Sequence, residues 1–243
     1  MNIIPPVRAE LAERFIFNFR MPLDALAEYL PAPWLSPQPV QGYGVASFCL
    51  LDLRHITVAP LPTVAGLHSL SCAPRYAVLD HSAGEPKPAV FVTERQTSSA
   101  FGAWFTGLGF SCRHPYAPAR ITHHEGGADI QVEKDDGSLQ FSATVRVTKC
   151  TQSNLFASAA EFGAFIAQGA TSYGLSRYRN RLTQVDLHKE DHGYEALEVR
   201  SIQSPLLQQW QAKGAILDSA FHTRGGRYQW SYRGLTKTDS GVA

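Results

Sequence analysis

Between Ala89 and Tyr116 the chain has no lysine, and the whole sequence has only Lys87, Lys134, Lys149, Lys189, Lys213 and Lys237, none adjacent to another. Amine chemistry therefore has few possible carriers. Cysteine is also sparse: Cys49, Cys72, Cys112 and Cys150 stand at long, irregular spacings with no C-x-x-C pair. That excludes a zinc knuckle or dithiol redox motif and points to reduced thiols packed as small hydrophobes in a cytoplasmic protein. No run approaches the ~18 apolar residues of a membrane span. The N-terminus, MNIIPPVRAELAER, lacks the apolar stretch of about 7–15 residues that a signal peptide needs. Charge of one sign is not in excess either. A net charge of +1 argues against bulk attraction to nucleic acid or anionic membrane. No G-x-G-x-x-G, P-loop or G-x-S-x-G motif occurs, so nucleotide cofactors and serine-hydrolase chemistry have no support, and no cofactor is expected.

What is present suits a buried core: 44% of residues are hydrophobic and 18% charged. The proline-rich stretches are short, no repeat is visible, and residues 1–243 read as a single domain. Arg14–Arg20 alternates as a strand, and Leu23, Leu26, Ala27 and Leu30 follow at helical spacing until Pro31. Gly42–Leu53, Leu67–Leu79 and Ala89–Thr97 read as strands, the last running into a helix over Ser98–Leu108 that Gly109 stops. Arg120–His124, Asp129–Glu133 and Leu139–Val147, joined by glycine-bearing turns, form an antiparallel meander. A helix over Ser158–Ser172 precedes an expected strand pair, Arg179–His188 with Tyr194–Ile202. A short helix over Ser204–Lys213 then leads to an expected hairpin, Ile216–His222 with Tyr228–Tyr232. The sum is a β-rich α+β fold: an antiparallel β-barrel-like sheet with about four short peripheral helices.

Two segments carry a resemblance. Phe17-Asn18-Phe19-Arg20-Met21-Pro22-Leu23-Asp24-Ala25-Leu26, followed by Leu30-Pro31-Ala32-Pro33, resembles the strand, helix and exit of acetoacetate decarboxylase and its relatives. Glu85-Pro86 through Thr93-Glu94-Arg95 resembles the central strand of that superfamily. Ser98–Tyr116, ending His114-Pro115-Tyr116, is similar to a bacterial branch with a Pro-Tyr pair after the helix. The resemblance implies a barrel-like fold around a mostly apolar cavity that takes a small organic molecule. The decarboxylase forms a Schiff base on one of two adjacent lysines, the second lowering the pKa of the first. Those positions fall near Phe101 and Gly102 here, and no Lys-Lys pair exists. The family's mechanism is thus not expected, while its pocket is. The resemblance implies that Arg14 is the approximate counterpart of the family's arginine before the first strand.

Several constellations compete for the site. Glu94 and Arg95 lie on the cavity strand, where only one can point inward. An inward Glu94, sharing a face with Val90, Val92, Gln96 and Ser98, would be a general acid or base; otherwise the two make structural ion pairs. Arg113, His114 and Tyr116 cluster at the helix exit, where they can bind a carboxylate and supply a proton, or simply form a surface loop. The expected catalytic residues are therefore Glu94 and His114. The expected ligand contacts are Arg14, Arg95, Arg113, Tyr116, Phe101 and Trp104. Lys149 has inward parity with Val145 and Val147 but marks a strand end, where lysine stays solvated. His123 and His124 point to opposite faces of a strand, and His188 and His192 flank a loop, so no metal site is expected. Arg177, Arg179 and Arg181 would form a basic ridge on a strand, otherwise a solvated face. Three functions remain: a small-molecule domain acting on a carbonyl or carboxylate by lyase-like acid–base chemistry; a non-catalytic carrier or sensor; and, least supported, a nucleic-acid-binding barrel. The expected partner is a small ligand, with neither nucleic acid nor membrane, and self-association is left open.

Overall fold

The structure, a computed structural model, describes residues 4–58, 61, 66–103, 114–190 and 193–239. In chain order the strands are β1 (Val7–Met21), β2 (Leu35–Pro37), β3 (Gly44–Val58), β4 (Leu67–Asp80), β5 (Lys87–Val92), β6 (Gln96–Thr97), β7 (Ala119–His124), β8 (Gly127–Glu133), β9 (Leu139–Thr148), β10 (Thr171–Leu175), β11 (Arg181–Lys189), β12 (Glu195–Gln203), β13 (Ile216–Arg224) and β14 (Arg227–Lys237). The described helices are α1 (Leu23–Ala27), α2 (Ala159–Gln168) and α3 (Pro205–Ala212). A further helical stretch starts at residues 100–103; the rest of the expected Ser98–Leu108 helix lies outside the described residues.

All fourteen strands join one sheet, in the order β14-β11-β10-β5-β4-β3-β1-β13-β12-β9-β8-β7, with β2 and β6 attached to β4. An additional β14–β1 pairing closes the strands from β14 through β1 into a ring. The remaining strands continue from β1 as a second layer, in which β7, β8 and β9 form the expected meander. This layer folds back over the outer face of the ring. There Phe141 of β9 stacks on Phe48 of β3 at 4.1 Å and meets Phe17 of β1 at 5.1 Å. Such aromatic pairs add to the burial of their own area, and this cluster is the main apolar core. On the inner face Ile16, Val45, Cys49, Leu51 and Phe221 form a second cluster, sealed by α2 through the stacked Phe162–Phe221 pair at 4.1 Å. The alternation of β1, with Phe15, Phe17 and Phe19 outward and Arg14, Ile16 and Asn18 inward, is the period-2 pattern serving two apolar layers at once.

Three strand expectations are corrected. The sheet is mixed, because β5 and β10 run parallel. β11 and β12 do not pair with each other: β11 lies between β10 and β14, and β12 between β9 and β13. The expected hairpin of β13 and β14 is likewise absent. Both lie on β1, β14 against Val7–Glu10 and β13 against Glu13–Arg20. A 15-residue strand spans about 50 Å at the usual rise, so one edge can serve two shorter neighbours in succession. That is how the ring and the second layer share β1.

Candidate functional site

Side chains in register on neighbouring strands share a face. Around the ring one such layer runs Asn18, Ser47, Arg75, Val92, Gly174 and Thr183. Another brings Arg14 beside Leu51 and Ser71. The interior is therefore not purely apolar: it holds guanidinium groups. Arg14 is 2% exposed. Its Nε donates to the Cys49 Sγ at 3.1 Å, and its Nη1 to the hydroxyls of Tyr194 and Tyr228, each at 3.4 Å. Burial works against the Arg14 charge, yet Cys49, Tyr228 and Tyr194 outweigh it and hold the group above its ordinary value. At Arg75 burial dominates and draws the guanidinium below its ordinary value; Cys49 works the other way, and the like charge of Arg14 adds to the depression.

Arg75 makes no hydrogen bond or ion pair among the described residues, and its Nε is buried without a partner. It lies on the inner face of the ring and is half-buried. Neither Arg14 nor Arg75 meets a carboxylate among the described residues. A buried charge without a counterion costs several kcal/mol, so native proteins nearly always pair one.

Arg95 extends the same face. Its Nη2 donates to the Ser172 Oγ at 2.9 Å. A Cβ added at Gly174 would come within 2.5 Å of its Nη1, so the guanidinium would have to shift to admit any larger residue there. His114 is half-buried beside Arg95. Burial first, and then that positive charge, push the imidazole down to about 4, so it is neutral near pH 7. A groove of about 480 Å³ between α2 and the end of β11 is lined by Gly163, Ala167, Leu187, Lys189 and Tyr194, the last of which also accepts the hydrogen bond from Arg14.

The sequence-predicted residues divide accordingly. Arg14 and Arg95 are on the inner face, with His114 next to Arg95. Glu94 is not with them. It is exposed and accepts a hydrogen bond from the Gln96 Nε2 at 2.8 Å. The predicted strand breaks after Val92 and resumes only at Gln96, so the alternation that would have carried Glu94 inward with Val90 and Val92 is lost. Gln96 in turn accepts from Cys72, on the outer apolar face. Phe101 is 54% exposed and Tyr116 36% exposed, bridged to Thr97. Trp104 and Arg113 lie outside the described residues. Five of the six lysines are exposed, Lys149 among them; Lys189 is half-buried at the end of β11, in register with Tyr228. Residues 177–180 are a turn rather than a strand, and Arg177 lies over its neighbour Tyr178. No group of three or more metal-ligating side chains occurs among the described residues, and none of their helices is long and apolar enough to cross a membrane.

Sequence reasoning missed Arg75, Cys49 and Tyr194. The available signal was an arginine at the same parity as Ala73 and Ala77 inside an otherwise apolar strand.

Solved structures share this architecture. An acetoacetate decarboxylase from Legionella pneumophila superimposes with a TM-score of 0.70 at 14% identity, covering 97% of this chain and 90% of its own. The enduracididine biosynthesis enzyme MppR, solved in complex with pyruvate, gives 0.64 at 13%, covering 98% and 92%. An acetoacetate decarboxylase-like enzyme from Sphingomonas wittichii RW1 gives 0.63 at 12%, covering 97% and 94%. No family model matches this chain, and no curated protein does. The chain has the acetoacetate decarboxylase-like fold, with enzymes among its structural neighbours.

Proposed function

We propose that this protein binds a small organic acid bearing a carbonyl or carboxylate group inside the strand ring and acts on it by acid–base chemistry without a lysine Schiff base. The observation that carries the reading is Arg75, a guanidinium with no hydrogen-bond partner among the described residues, next to Arg14 in an interior without a described carboxylate. A substrate carboxylate placed on the two guanidiniums receives charge-assisted hydrogen bonds. The Tyr194 and Tyr228 hydroxyls, oriented toward Arg14, are placed to donate to an enolate-like oxygen as charge develops. That stabilisation takes the place of the electron sink an iminium would supply. Glu94, at the surface, has no part in this version. Neutral His114 serves as a hydrogen-bond partner rather than an acid near pH 7. Decarboxylation fits best, because the departing CO2 leaves its bonding electron pair on an enolate and no base is needed to remove a proton. A carrier or sensor without turnover is the second reading, favoured by the absence of carboxylates from the described interior.

The test is borohydride reduction in the presence of β-keto acids, read by intact-protein mass. The expected result is turnover or binding with no added mass. A stable adduct, mapped above all to Lys189, would overturn the account. Binding without turnover of any keto acid would select the carrier reading.

A further inference from the structure

Helix α2 has two unlike faces. Phe162, Phe165 and Ile166 seat it on the inner apolar cluster. On the other face Ala160, Gly163 and Ala167 recur at helical spacing and form one wall of the groove of about 480 Å³, with Leu187 and Lys189 of β11 on the other side. That volume falls within the range of about 300–1,000 Å³ that small-ligand sites occupy. Tyr194 belongs both to this groove and to the guanidinium cluster. Its hydroxyl accepts from the Arg14 Nη1 at 3.4 Å. Its ring meets Phe162 edge to face, with centroids 5.0 Å apart, and also lines the groove. A Cβ added at Gly163 would stand 3.3 Å from the Tyr194 Cδ2 and 3.7 Å from its Cε2. Cε2 is bonded to the ring carbon that carries the hydroxyl. One tyrosine side chain therefore spans the distance from the groove wall to the Arg14 donor.

A ligand held at the Tyr194 hydroxyl has the ring of the same residue beside it, and that ring is a wall of the groove. We infer that the ligand is an amphipathic acid, with its acidic head at Arg14 and the Tyr194 hydroxyl and an apolar tail along the Tyr194 ring in the groove between α2 and β11. This rests on the proposed anion-binding interior and narrows its ligand class to acids with an extended alkyl or aryl substituent. The small side chains of α2 leave room for such a tail, and Gly163 sets the width at the point nearest Arg14, because any side chain there presses on the Tyr194 ring.

The test is isothermal titration of the full chain with straight-chain 2-keto acids of increasing length, and with neutral alcohols of matching length. Each added methylene is expected to tighten acid binding by about two- to fourfold until the groove is filled, as burial of a methylene does. The alcohol, lacking the acidic head, is expected to bind about tenfold or more weakly than the acid of its length. Ala167 is exposed, and Ala167→Leu fills the groove without touching the inner cluster, so the gain with length is expected to vanish there. Gly163→Ala is expected to reduce that gain as a second variant. Circular dichroism checks that both are folded. Affinity independent of length, a gain with length that survives in Ala167→Leu, or an alcohol bound as tightly as its acid overturns the tail assignment, while binding of the shortest acid leaves the anion-binding interior standing. No binding of an acid of any length overturns both.

Discussion

At the scale of single residues the molecule turns on Arg14 and Arg75, which meet no carboxylate among the described residues. Burying a guanidinium in this way costs stability, and replacing such groups with an apolar side chain of similar volume is often neutral or stabilising. Arg75→Met is therefore expected to raise the stability of the unliganded protein by about 1–3 kcal/mol, measured by urea denaturation. A loss of that size instead would mean that Arg75 holds the fold together and is not waiting for a ligand. The sequence hid this residue for a physical reason. In SCAPRYAVL the arginine follows Pro74 at a place where an exposed break in the strand is the simpler reading, and only the register with Ser47 and Val92 shows that the strand continues. Arg14 was recognisable because it alternates with Ile16 and Asn18. The inward placement of Arg95 and the exposure of Glu94 were not recognisable. They depend on the interruption between β5 and β6, which leaves no periodic trace over three residues.

At the scale of elements, strands with strong alternation or long apolar runs, such as β1, β3, β4 and the β7–β8–β9 meander, were legible. β10 was not: TSYGL is short, contains a glycine, and reads as the tail of α2. The pairings of β11 through β14 were not legible either, because sequence neighbours form the default expectation and the long β1 overrides it. One element-level contact makes a further prediction. Glu13 of β1 is 7% exposed and bonded to His222 of β13, with Nε2 at 3.0 Å, and to His123 of β7, with Nε2 at 2.8 Å. Burial raises the Glu13 carboxyl, but the bonds from His222 and His123 outweigh it and hold it below its ordinary 4.5. Because the folded value is depressed, this stability is present above the unfolded value and is lost as pH falls through the folded one. Melting followed from pH 6 down to about pH 3 should fall less steeply in Glu13→Gln than in the wild type. Parallel curves would show that Glu13 is not linked to the docking of the second layer onto β1.

At the scale of the whole molecule, the fold is shared with acetoacetate decarboxylases at 12–14% identity. Five lysines are outside, Lys189 is at a strand end, and the described interior carries arginine, tyrosine, serine and a neutral histidine. The central claim is that this interior is an anion site built on Arg14 and Arg75. The most direct measurement is the shift in melting temperature produced by a small keto acid on the wild type and on Arg75→Met. A ligand at about 100 times its Kd stabilises the native state by roughly 2.7 kcal/mol, a readily measured shift. The wild type should show a shift of that order and Arg75→Met almost none. An equal shift in both would contradict the account.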